Sequence, residues 1–182
     1  MRRLLRGAPL AAVLTLFATG VAADVTDVSA AGFLVRHEIT VNAAPDAAWR
    51  AVVDVGKWWN PAHSYSRDGA NLSIDARPGG CFCEKLANGG GVQHMQVVFA
   101  SPGSMLRMTG ALGPLQASGV AATMTLRFTA AQPATKIELS YSVGGILQSG
   151  MEKMAPAVNA MLGEQMARLK SLIDTGQPVP PK

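Results

Sequence analysis

The chain has 182 residues, 48% hydrophobic and 15% charged, which is enough apolar material for one domain with a buried core and excludes general disorder. The net charge of +4 owes most of its excess to Arg2, Arg3 and Arg6, and the rest of the chain is close to neutral. No basic helix and no run of Lys or Arg interleaved with aromatics is present, so the positive balance is no argument for nucleic acid as a partner.

The first stretch, MRRLLRGAPLAAVLTLFATGVAADV, has a basic start, an apolar run from Leu10 to Ala18, and small residues at Val21 and Ala23. That pattern predicts a signal peptide over residues 1–23, with the mature chain beginning near Asp24 in the periplasm or outside the cell. The apolar run is too short and too rich in Ala, Gly and Thr for a membrane span, so no integral span is expected after cleavage, although an uncleaved anchor is the alternative. No cysteine follows the cleavage point, which argues against a lipid anchor.

Residues 24–32, DVTDVSAAG, read as a loose leader. In FLVRHEITVNA, Val35, His37, Ile39 and Val41 alternate with Arg36, Glu38 and Thr40, the period of a strand. APDAAWRAVVDVGKWW reads as a helix, with Pro45 in its first turn, Asp46 at its positive end, and Trp49, Val52 and Val53 on one face. A short second turn carrying Lys57, Trp58 and Trp59 follows, stopped by Pro61. NLSID, GCFCEKL, VQHMQVVFA, SMLRMTG, ATMTLRFTA and TKIELSYSV then read as strands separated by Gly, Pro and Asn turns. Met124, Leu126 and Phe128, and Ile137, Leu139, Tyr141 and Val143, alternate with polar residues, as in an antiparallel sheet with one buried face. The longest helical pattern runs from Met151 to Gly176, with a stripe of Met154, Val158, Met161, Leu162, Gln165, Leu169 and Leu172 and Pro156 near its start. Residues 176–182 form a Pro-rich tail.

The order predicts an α+β domain over residues 33–175. A curved antiparallel sheet of six or seven strands wraps one long C-terminal helix, and two short helices lie between the first two strands. This arrangement leaves either a cavity or a solid core between sheet and helix.

ITVNAAPDAAWRAVVDVGKWW, DARPGGCFCE, VVFASPGSMLRMTGALGPL and MLGEQMARLKSLI, in this order, resemble the SRPBCC superfamily of START-like helix-grip domains. That superfamily includes the birch-pollen allergen and polyketide cyclases. The resemblance runs from Phe33 to Ile173 and looks nearest to the branch of the activator of heat-shock-protein ATPase. It implies a cavity for a hydrophobic small molecule or lipid but no particular reaction, since members range from cyclases to carriers to co-chaperones. The two cysteines of GGCFCE depart from the general pattern of the family.

The candidate site residues follow from facing and placement. In a strand, Cys81, Cys83 and Lys85 share one face and Phe82, Glu84 and Leu86 the other, which puts Phe82 and Glu84 at the cavity wall. The cysteines are then unpaired thiols, a disulfide that is either intermolecular or strained within the strand (where a bulge at Gly79–Gly80 would ease it), or part of a metal or redox site. A metal site is weak on spacing alone, since Cys81 and Cys83 with His94 fall short of four ligands. If Cys83 opposes His94, a Cys-Cys-His set forms. If Glu84 opposes it, a carboxylate–imidazole pair lines the cavity. His63 lies on a loop near the mouth, either as a surface histidine or as a ligand contact or base. His37 reads as a partly buried structural histidine. Of Trp58 and Trp59, one packs in the core and the other rims the cavity. Tyr65, Tyr141 and Gln165 supply polar points, and Met161 stands for the adaptable methionines of the last helix.

No phosphate-cradling loop or nucleophilic serine elbow is present, and no cofactor is expected. Three functions fit this sequence. The first is an exported binding protein for a hydrophobic or amphipathic ligand. The second is a cyclase, dehydratase or hydrolase using Glu84 with His94 or His63 as acid and base. The third is a partner-binding module of the ATPase-activator type.

Overall fold

The alternation of β2 (Gly32–Val41) is carried through without a break: Phe33, Val35, His37, Ile39 and Val41 are buried, while Arg36, Glu38 and Thr40 are exposed. The computed structural model describes residues 22–180. After β2 come α1 (Pro45–Val53), β3 (Leu72–Ile74), β4 (Cys81–Lys85), β5 (Gly91–Ser101), β6 (Met105–Thr109), β7 (Gly119–Ala131), β8 (Ala134–Ile146) and α2 (Met151–Thr175). The strands form one antiparallel sheet of eight, in the order β1-β2-β8-β7-β6-β5-β4-β3, with β1 at Ala22–Ser29.

One expectation is corrected here and another is made specific. The leader at 24–32 is not loose, because its first part pairs with β2 as β1, from Ala22 against Glu38 to Ser29 against Gly32. Asp27 takes a positive φ of 59° and the register shifts between Thr26 and Ser29, which breaks the period-2 pattern a strand would show in sequence. The expected short second turn is a 3-10 turn at Val55–Lys57, and further 3-10 turns at Pro61–His63 and Gly69–Asn71 carry the chain to β3. The expected signal peptide lies outside the described residues apart from Ala22 and Ala23, which open β1. No helix of the described residues is long and apolar enough to cross a membrane.

The sheet's buried face and α2 enclose one core. Val158, Leu162, Met166 and Leu169 of α2 are buried with Val35, Ile39, Leu126, Ile137 and Leu139 of the sheet. Each such side chain, fully buried, contributes about 1.5–3 kcal/mol. Trp49 anchors α1 by packing on Phe128 of β7, with ring centroids 5.6 Å apart. α2 runs through Pro156 in its second turn and ends at Gly176, whose left-handed φ of 80° lets its N–H bond back to the Leu172 carbonyl.

Candidate functional site

In β4 the inward and outward faces are those the alternation predicts: Phe82 and Glu84 are buried, Cys81 and Cys83 are part-exposed on the other face, and Lys85 is exposed. The pairing with β5 takes neither expected register. Cys81 opposes Gln96, Phe82 opposes Met95, Cys83 opposes Gln93, and Glu84 opposes Val92. Two steps along β4 therefore span three along β5, and His94 is the extra residue of a β-bulge. The bulge falls opposite Phe82 and Cys83, in β5, and not at Gly79–Gly80, where a bulge would also have eased a disulfide. It switches the parity of β5, so that His94 and its neighbour Met95 are both buried.

Two features sit against this bulge. Cys81 and Cys83 are joined in a disulfide with their Cα atoms 5.4 Å apart. A regular strand sets alternate Cα atoms about 6.5–7 Å apart, so β4 is locally short where β5 is locally long. On the opposite side of β5, Gly110 follows β6 with φ 145°. A Cβ there would stand 2.6 Å from the His94 carbonyl oxygen and 2.8 Å from Met95 Cα. Only glycine fits that approach.

The bulge hands His94 to Glu84. His94 Nε2 donates to Glu84 Oε2 at 2.9 Å, and the Glu84 side chain has no exposed surface. The backbone N–H of Tyr65 donates to the same oxygen at 3.1 Å, and that of Ser66 donates to Oε1. Burial pushes the carboxyl upward, but hydrogen bonds from Ser66, Tyr65 and His94 together outweigh it and hold Glu84 below the usual carboxylate range. An ionised Glu84 can only accept, so Nε2 is the donor of the pair. The imidazole lies between Phe82, with centroids 4.8 Å apart, and Tyr65, stacked at 6.0 Å.

A second carboxylate–imidazole pair forms at α2. His63 Nε2 meets Glu164 Oε2 at 3.2 Å. Asn60, just before Pro61, organises the pair: its side chain donates to Glu164 Oε1 at 2.6 Å and accepts from the Ala62 N–H, while its own N–H donates to Gln165 Oε1 at 2.7 Å. Trp59 Nε1 donates to the His63 carbonyl at 3.1 Å, and buried Arg168 Nε donates to the Trp58 carbonyl at 2.8 Å. Burial lowers the Arg168 guanidinium from its ordinary value, with Glu164 opposing that shift.

Both imidazoles line one cavity of about 570 Å³, within the roughly 300–1,000 Å³ of small-molecule sites. Its walls are Trp59 and residues 62–65 on one side, His94 at the base, Leu112–Leu115 opposite, and Met154, Ala157, Val158 and Met161 of α2. On α2 its lining falls between Met154 and Met161, in the N-terminal half of the helix. Tyr65 spans the mouth: its ring is half-exposed and its hydroxyl makes long contacts of 3.4 and 3.5 Å with the Gly113 carbonyl and Gln116.

Of the ligand contacts expected from sequence, Trp59, His63, Tyr65, His94 and Met161 line this cavity. The others stand behind it. Trp58 is buried, with Nε1 on the Val52 carbonyl. Phe82 packs against Trp59 and His94 from behind, and Glu84 is shielded by the ring it holds. Tyr141 is fully buried; its hydroxyl accepts from the Leu112 N–H at 3.0 Å, and burial pushes its pKa up to about 12. Gln165 is occupied by Asn60. The disulfide occupies both sulfurs of the Cys-Cys-His set, and no cluster of three or more metal-ligating side chains occurs among the described residues.

Sequence reasoning missed Asn60, Ser64, Leu112, Leu115, Met154 and Glu164. Asn60 had a local signal in its Asn-Pro step, a common turn opening. Glu164 stands three residues after Met161, on the neighbouring stripe of the helix.

Three comparisons bear on this site. The sequence profile of the family described as polyketide cyclase / dehydrase and lipid transport matches residues 33–174. No curated protein gives a significant match. Solved structures share the architecture at low identity. A conserved protein of unknown function from Enterococcus faecalis aligns with TM-score 0.62 and 15% identity over 88% of this chain and 81% of its own. CalU16 from Micromonospora echinospora aligns at 0.58 and 18% over 90% and 88%. The Aha1 dimer from Colwellia psychrerythraea aligns at 0.57 and 16% over 79% and 97%. At these identities the likeness shows the helix-grip fold.

Proposed function

Because the chain belongs to the polyketide cyclase / dehydrase and lipid transport family, we propose that it binds a hydrophobic or amphipathic small molecule in the cavity between α2 and the sheet. The observation that carries this reading is the cavity itself: mostly apolar walls, with two imidazoles and the Tyr65 ring as the polar points. Each 100 Å² of apolar ligand surface buried there contributes about 2.5 kcal/mol, before the cost of immobilising the ligand. The imidazoles then fix which end of an amphipathic ligand enters first. The test is titration of the full chain with 1-anilinonaphthalene-8-sulfonate, followed by displacement with fatty acids and aromatic ketones. Saturable one-site binding with displacement supports the reading, and absence of binding in every condition contradicts it.

The Glu84–His94 bond favours a second reading, a proton-transfer enzyme. A buried carboxylate that holds one imidazole nitrogen while the other serves a cavity is the arrangement of a general base. In it His94 takes the proton, and Glu84 positions the ring and stabilises the imidazolium that forms. Incubation of bound ketones in deuterium oxide separates the two readings. Exchange at carbon next to the carbonyl that is lost in His94→Ala supports catalysis, and binding without exchange leaves the carrier.

We also propose that the protein acts in the periplasm or outside the cell. The signal-peptide pattern supports that placement, and a Cys81–Cys83 bond suits an oxidising compartment. Fractionation with sequencing of the mature N-terminus checks it; a start near Asp24 is expected.

A further inference from the structure

We propose that the Cys81–Cys83 bond is a thiol–disulfide exchange site whose redox state sets the aim of His94 into the cavity. The functional consequence rests on the reading of that cavity as a ligand site.

The bond is a poor structural staple. It closes a very short loop, with a sequence separation of two, and loop-closure stabilisation grows with loop length. The residues it ties are already held on both sides, with Cys83 paired to Ser73 of β3 and to Gln93 of β5. Its position is also open. Both cysteines are part-exposed on the face away from the cavity, and Lys85 shares that face, where its charge favours a thiolate leaving group.

What the bond does do is match β4 to the bulge. Cys81 faces Gln96 and Cys83 faces Gln93, so the 5.4 Å between the cysteine Cα atoms is set against three residue steps of β5. Release of β4 to regular spacing lengthens to about 6.5–7 Å the span set against those three steps, and so loosens the two-against-three fit that holds the extra residue. A β5 without the bulge keeps strict alternation. If Met95 and Val97 stay in the core, His94 then turns to the outer face and leaves Glu84. Phe82, between the two cysteines and against the His94 ring, carries the same displacement to the cavity.

The step balances with a small thiol, such as glutathione, as reductant. Its thiolate attacks one cysteine sulfur, the Cys–Cys bond breaks, and the electron pair leaves on the other sulfur. A second thiolate attacks the small thiol's sulfur in the mixed disulfide and releases the first cysteine. Two thiols become one disulfide, their protons pass to Cys81 and Cys83, and the pair is reduced.

The experiment uses the full chain, oxidised and then reduced, with Cys81→Ser/Cys83→Ser as a second, permanently open form. Glutathione should release two thiols per chain without denaturant, and far-UV circular dichroism should not change. The imidazole ¹⁵N spectrum has only three histidines to resolve. The His94 signals should lose the Nε2–H pattern on reduction and regain it on reoxidation. Affinity for 1-anilinonaphthalene-8-sulfonate should fall by about fivefold or more, the low end for coupled sites. Thiols released only in denaturant, global unfolding on reduction, or His94 signals identical in both redox states would each overturn the proposal. If the oxidised protein fails to bind the dye, the ligand reading fails, and the His94 spectra alone decide the redox coupling.

Discussion

The two carboxylate–imidazole pairs have the same chemistry and differ in burial. In Glu84–His94 the side chains are 0% and 6% exposed; in Glu164–His63 they are 21% and 40% exposed. The first is built from strand register. A bulge turns His94 inward, the backbone N–H groups of Tyr65 and Ser66 complete the carboxylate, and Gly110 closes the back. The second is built from a loop laid on a helix, and solvent screens it. A buried pair with every partner in place is costly to break, whereas an exposed pair contributes little to stability. The buried pair is therefore suited to hold a ring in one orientation, and the exposed pair to meet or release a ligand at the mouth.

The largest effect expected is at Glu84. Glu84→Ala removes the acceptor of three donors, the buried His94 ring among them, and should lower unfolding stability by about 3 kcal/mol in urea titration. A loss below 1 kcal/mol would mean that the pair is not buried as described. Next comes Gly110→Ala, at a positive φ and against the bulge backbone, with an expected loss of about 2 kcal/mol and weaker dye binding. If its stability and dye affinity matched wild type, the bulge would not depend on that approach.

The pH dependence sharpens the contrast. Glu84 has its folded pKa held below the ordinary 4.5, so the unfolded chain takes up that proton first as acid is added. Its contribution is present above about pH 4.5 and is lost as pH falls from there through the folded pKa. His37 acts in a higher window. Burial lowers its pKa from 6.5, its Nε2 meets the Asn159 carbonyl at 3.1 Å, and its Nδ1 has no partner among the described residues. Stability from the neutral His37 ring is thus lost as pH falls below 6.5. Glu84→Gln should flatten the stability curve below pH 4.5 and leave the slope below 6.5 intact; a slope unchanged in both windows would contradict the assignment. The smallest effect expected is His63→Ala, within about 0.5 kcal/mol of wild type in urea.

Much of this was legible because it depends on period alone. The buried faces of β2, β7 and β8 follow their alternation, and the facing of Phe82 and Glu84 follows from Cys81 and Cys83 being two apart. The stripe of α2 was legible too, although it gave no sign that Arg168 would be buried to hold the Trp58 carbonyl. The site itself was half legible. His94 and Glu84 could be named as partners, but a bulge inserts one residue without changing composition, so neither simple register could be right. The same limit hid β1, where Asp27 breaks the alternation. The Asn60–Glu164 bond joins residues 104 positions apart, and no local pattern encodes it.

The central claim is that the cavity holds a hydrophobic small molecule. Native mass spectrometry of the freshly purified full chain, beside Ala157→Trp, tests it most directly, because Ala157 lines the cavity from the exposed surface of α2 and a tryptophan there fills the space without entering the core. The account predicts a one-to-one small-molecule adduct on the wild-type chain that is absent from Ala157→Trp. An adduct that persists in the blocked variant, or a wild-type chain that carries none and takes up none from a lipid and ketone mixture, would contradict it.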